Sequence, residues 1–129
     1  MIGLVFFVQV VHYPLFAGVG SGAFRAYHAL HEKRTTWVVV APMLLELGGA
    51  TGSLWWRGPL SSGEVLWGWG LVVGIWVCTA LVQVPQHRRL SAGFDSRTQT
   101  RLVCLNWIRT VAWSARGVLL AVALTRVLA

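Results

Sequence analysis

Three ionisable side chains, His12, Glu46 and Arg109, stand inside long apolar stretches of a 129-residue chain. An imidazole or carboxylate screened from water can act as a general base, and a guanidinium beside it can hold an oxyanion or enolate. Counting inward at about 1.5 Å per residue from Phe24, Thr36 and Gln99 puts His12 roughly 18 Å deep and Glu46 and Arg109 roughly 15 Å deep. One group from each of three helices therefore falls in a single layer. Gln9, His12 and Tyr13 share a face at i, i+3, i+4, and Asn106, Arg109, Trp113 and Arg116 form a polar stripe on the last helix. Pro42 stands one turn before Glu46, where it frees a carbonyl. Two readings follow. Glu46 and Arg109 can form a structural ion pair, with His12 and Asn106 completing its hydrogen bonds. Alternatively, His12, Glu46 and Arg109 are the catalytic groups of a polar pocket, with Tyr13, Trp76, Asn106, Trp107, Trp113 and Arg116 binding the ligand.

A second polar layer comprises His28 and His31, three residues apart, and His87, with Glu32, Gln83 and Gln86 nearby. Three imidazoles and a carboxylate suit a metal ion. The competing reading is a set of interfacial side chains that reach water beside Arg25, Lys33, Arg88 and Arg89. A bis-histidine haem fits less well, because His12 lies at a different level from the other three. Cys78 and Cys104 read as buried small apolar residues with no disulfide between them. Neither a Gly-x-Ser-x-Gly elbow nor a phosphate loop is present.

These groups need elements to position them, and composition says which. Hydrophobic residues make up 56% of the chain and charged ones 12%, against about 25% charged in an ordinary soluble domain. Disorder is excluded and a soluble globule is not expected, so the expected class is an integral membrane protein. The apolar runs lack the period-two alternation of strands, so the expected fold is an all-α, up-down four-helix bundle with helices at about 3–31, 35–56, 64–88 and 98–126. The short links are Glu32–Thr36, Arg57–Gly63 and Arg88–Arg97. Gly18, Gly22, Gly48, Gly49 and Gly52 are candidate points of close helix approach.

Arg25, Lys33 and Arg34 flank the first link, and Arg88, Arg89, Arg97 and Arg101 the third, whereas the second has Arg57 alone. Basic residues favour the cytoplasmic side, so both termini are expected on the opposite side. Trp55, Trp56, Trp67 and Trp69 fall at the outer boundary as an aromatic belt. The first run has no basic segment before it and is too long for a signal core, so it reads as a retained helix. The expected location is a cell membrane, multi-pass, as in a bacterial inner membrane. The formal net charge of +7 fits topology and anionic lipid; no basic stripe interleaved with aromatics suggests nucleic acid.

The stretch Val84-Pro85-Gln86-His87-Arg88-Arg89-Leu90, followed by Leu105-Asn106-Trp107-Ile108-Arg109-Thr110 and Trp113-Ser114-Ala115-Arg116, resembles the small four-helix membrane proteins of the anthrone oxygenase-like family. The likeness covers about the last third of the chain. It implies a four-helix bundle and, as in some members, cofactor-free oxygenation of polycyclic aromatic anthrones.

The functional expectation is binding or oxidation of a lipophilic aromatic or quinone-like ligand by a membrane oxidoreductase or oxygenase. The alternative is a non-catalytic accessory subunit of a larger membrane complex, respiratory or photosynthetic. Expected partners are the lipid bilayer, a lipophilic small molecule, and other membrane subunits or further copies of the chain. A proton-coupled transporter fits less well, because an acid paired with Arg109 is a poor proton carrier.

Overall fold

Continuous apolar runs produce four helices and no strand in the computed structural model, which describes residues 1–129. They are α1 (Ile2–Gly18), α2 (Ser21–Gly52), α3 (Ser62–Ser91) and α4 (Ser96–Leu128). Of these, α3 and α4 are long and apolar enough to cross a membrane, while α1 is apolar but shorter. Their directions alternate. Ile2 of α1 meets Gly117 of α4, and the Tyr13 carbonyl accepts from Gln99, so α1 and α4 are antiparallel. Glu64 of α3 pairs with Arg126 while Leu90 packs with Leu102, so α3 is also antiparallel to α4. Two cores result: one around Val5, Met43, Val72, Ile75 and Trp113, and one around Tyr13, Phe16, Phe24, Leu90 and Leu102.

The first turn is not where the charge run suggested. It lies at Val19–Gly20, and α2 continues unbroken through Glu32-Lys33-Arg34-Thr35-Thr36. The chain tightens to a 3-10 turn over Phe16–Gly18, and Val19 is extended, with φ −85° and ψ 123°. Glycines on both sides of Val19 weaken helix there, whereas Glu, Lys and Arg are good helix formers. A charge run ends an apolar window without ending a helix. At the other turns, Ser61 and Glu64 form a reciprocal capping box that starts α3. Asp95 caps α4 by accepting from the Thr98 N–H at 2.9 Å.

Two helices contain a wider π turn, Val8–His12 in α1 and Thr79–Gln83 in α3. Each ends two residues before a proline, Pro14 and Pro85. Proline has no N–H to donate and its ring crowds the carbonyl four residues back, and the wider turn relieves both problems. The expected glycine contacts also move. A Cβ on Gly18, Gly22, Gly48, Gly49 or Gly52 would meet nothing within 4 Å, whereas one on Gly117 would collide with Ile2 and one on Gly68 would lie 2.9 Å from Arg116 Nη1.

Candidate functional site

All four helices line a cavity of about 370 Å³. Its apolar wall includes Val5, Val8, Val39, Met43 and Trp76, and its polar wall Tyr13, His31, Gln83, His87 and Arg109. Glu32 is the only acid on the lining, and Arg88 and Arg109 are the lining's cations. The π turn of α3 delivers Gln83, and the turn of helix after Pro85 delivers His87.

Side chains on α1 and α4 hold one edge of this cavity. Gln9 donates to the Val103 carbonyl at 3.0 Å and accepts from Asn106 Nδ2 at 2.9 Å. Asn106 Oδ1 then accepts from Arg109 Nη1 at 3.1 Å. Gln9 and Asn106 are thereby satisfied, and they aim the guanidinium. Arg109 keeps a buried Nε without a partner, as do the Gln83 amide nitrogen and oxygen and the Trp76 indole nitrogen. Buried polar groups are normally paired, and leaving one unpaired costs about 1–3 kcal/mol.

The opposite edge is a chain of imidazoles. His12 Nε2 and His31 Nδ1 lie 2.5 Å apart, and Thr35 Oγ1 is 3.1 Å from the same His31 nitrogen. His87 Nδ1 faces His28 Nε2 at 3.1 Å, and His87 Nε2 faces the Tyr13 hydroxyl at 3.0 Å. Ser91 Oγ stands 3.3 Å from His28 Nδ1 and donates to Glu32 at 3.0 Å. Histidines from α1, α2 and α3 thus meet at one level, His12 included.

The proposed layer of His12, Glu46 and Arg109 does not form. With the first turn at Val19–Gly20, His12 lies only roughly 10 Å from it and reaches the histidine level instead. Glu46 pairs with Arg116, whose Nε donates to Glu46 Oε2 at 2.8 Å, and not with Arg109. Parallel α2 and α4 bring Glu46 and Arg116 to one level, and the pair lines a separate recess with Met1 and Pro42. Among the expected ligand-binding residues, Tyr13 and Trp76 line the main cavity along with Arg109. Asn106 and Trp113 are buried behind it, Arg116 belongs to the second recess, and Trp107 is 45% exposed on the outer face.

Gln83 is legible in the sequence as a neighbour of the histidines but not as a cavity wall, and Thr35 and Met43 are not legible as lining at all. For Gln83 a signal existed: an amide inside an apolar run, two residues before a proline. Thr35 and Met43 carry none, since their exposure to the cavity depends on α2 being one helix. Neither a family model, nor a curated protein, nor a solved structure matches this chain.

Proposed function

We propose that the protein is a multi-pass membrane protein that binds a lipophilic, ring-bearing ligand in the cavity between its four helices. The ligand's apolar body packs on Val39, Met43 and Trp76. Its oxygen-bearing head, quinone-like or phenolic, is held by Gln83 and Arg109, with Tyr13, His31 and His87 around it. The observation that carries this reading is the set of unpaired buried donors and acceptors on Gln83, Arg109 and Trp76, three residues lining one cavity. Such groups are stabilised by a partner the chain itself does not supply. A cavity of about 370 Å³ falls in the range of small-molecule sites, about 300–1,000 Å³. The resemblance of the Pro85 turn and the Trp- and Arg-bearing α4 to the anthrone oxygenase-like family points toward a polycyclic aromatic occupant.

Native mass spectrometry of the protein extracted in a mild detergent tests this. A small-molecule adduct is expected on the wild type, lost in Gln83→Leu and Arg109→Lys and retained in Glu46→Gln. A bare chain after gentle extraction, or an adduct indifferent to all three changes, overturns the reading. A chain that instead carries other subunits supports the accessory-subunit alternative.

A further inference from the structure

The histidine level at the end of the cavity has a geometry that a lipophilic ligand does not explain. His28, His31 and Glu32 share one face of α2 at i, i+3, i+4, and His87 approaches from α3. His28 is fully buried, and its Nε2 points at His87 Nδ1 across 3.1 Å. Two imidazole nitrogens facing each other can share one proton, or both can ligate one cation. Bonds of about 2.0–2.1 Å from a transition metal to each nitrogen put two such ligands about 3.0–3.4 Å apart, which matches this pair.

The surroundings hold both rings in that attitude. His87 turns its other nitrogen to the Tyr13 hydroxyl at 3.0 Å. His28 turns its other nitrogen to Ser91 Oγ at 3.3 Å and to Glu32 Oε2 at 3.6 Å. Oxygen partners on the far nitrogen of a ligating histidine fix its tautomer and ring orientation. Donor atoms of His28, Glu32 and His87 all lie within 4.8 Å of one another. The Glu32 side chain is 38% exposed and accepts from Ser91 Oγ at 3.0 Å, so its carboxylate would turn from that hydroxyl and from His28 Nδ1 to join an ion held between the two rings. The His31 ring centre is 5.5 Å from that of His87 and 5.9 Å from that of His28, so it borders the same space.

We propose that His28, His87 and Glu32 bind a divalent first-row transition metal ion, with His31 beside its open side. Two imidazoles and one carboxylate leave coordination positions vacant on such an ion. Glu32, His31 and His87 also line the cavity, so the open positions face its polar end. Metal binding is measurable whether or not the cavity takes an organic ligand, which separates this inference from the one above.

The test uses full-length protein without a polyhistidine tag, stripped with a chelator in detergent and titrated with Co²⁺. One Co²⁺ per chain is expected, with visible d–d absorption that Zn²⁺ displaces, and Zn²⁺ should raise the thermal midpoint. His28→Ala and His87→Ala should each weaken binding at least about 100-fold and Glu32→Gln at least about 10-fold, while His12→Asn leaves it within about twofold. Far-UV circular dichroism checks each variant's fold. If a histidine variant does not fold, the half-exposed Glu32→Gln still decides. Helical wild-type protein that takes up no Co²⁺ overturns the proposal, as does uptake unchanged in Glu32→Gln and His87→Ala.

Discussion

Gln83 lines the cavity, and neither its amide nitrogen nor its amide oxygen has a partner. A residue that only filled space there would be Leu or Met, so the amide costs stability in the ligand-free chain. Gln83→Leu should therefore stabilise ligand-free protein, by about 1–3 kcal/mol if the full penalty is removed. Equilibrium unfolding in detergent measures this, and a loss of stability on substitution would show that the amide has a partner after all. Glu46 illustrates the opposite case. Its partner Arg116 donates to it at 2.8 Å, so an acid set in an apolar run forms an ion pair between α2 and α4. Chemical type alone does not separate these two residues. Satisfaction of their hydrogen bonds does.

At the scale of the element, the informative features are departures from regular helix. The π turns at Val8–His12 and Thr79–Gln83 each precede a proline and each end on a polar residue turned into the bundle. Wider turns of this kind are common where a helix must present a side chain at an off-register angle. α4 depends instead on its N-terminal cap. The Asp95 carboxyl is held below the ordinary carboxylate range, chiefly by hydrogen bonding from the Thr98 side chain and then from its N–H. A depressed value in the folded state means that the cap is fully present above the unfolded carboxyl's pKa and lost as pH falls through the folded one. Asp95→Ala should accordingly lower the thermal midpoint at neutral pH, and its gap to wild type should close on acidification. A gap that persists in acid would assign the effect to something other than the charged cap.

Across the whole molecule, Arg25, Arg88, Arg89, Arg97 and Arg101 gather at the end where α1 turns into α2 and α3 into α4, while Lys33 and Arg34 lie roughly 20 Å along α2 from its start. Arg57 and Arg126 mark the other end. The positive-inside rule makes the first end the expected cytoplasmic one. In a cysteine-free background, Cys introduced at Gly20 or Ala92 should be modified only after a membrane-impermeant reagent gains the cytoplasm. Cys at Ser61 should be modified from outside. A short hydrophilic insertion at Lys33–Arg34 separates the two views of the first turn: it should disrupt the protein, because those residues lie inside α2. Tolerance there, with intolerance at Val19–Gly20, would restore the turn to the charge run.

Helical class, the number of helices, the burial of the Asn106, Arg109, Trp113 and Arg116 stripe, and the gathering of His28, His31 and His87 at one end were all legible in the sequence. Each follows from spacing along one helix or from the solvation cost of a polar group, which are local properties. Tertiary structure alone decided that His12 joins the other histidines, that Glu46 belongs to Arg116, and that Gln83, Thr35 and Met43 share a cavity with Arg109. Those facts depend on where α1 ends and on how α2 slides against α4. A two-residue break at Val19–Gly20, weaker as a signal than five polar residues at Glu32–Thr36, moves every level counted from it. Pairings between helices are set by the packed axes, and an uncertainty of one turn, about 5.4 Å, is enough to exchange one arginine partner for another.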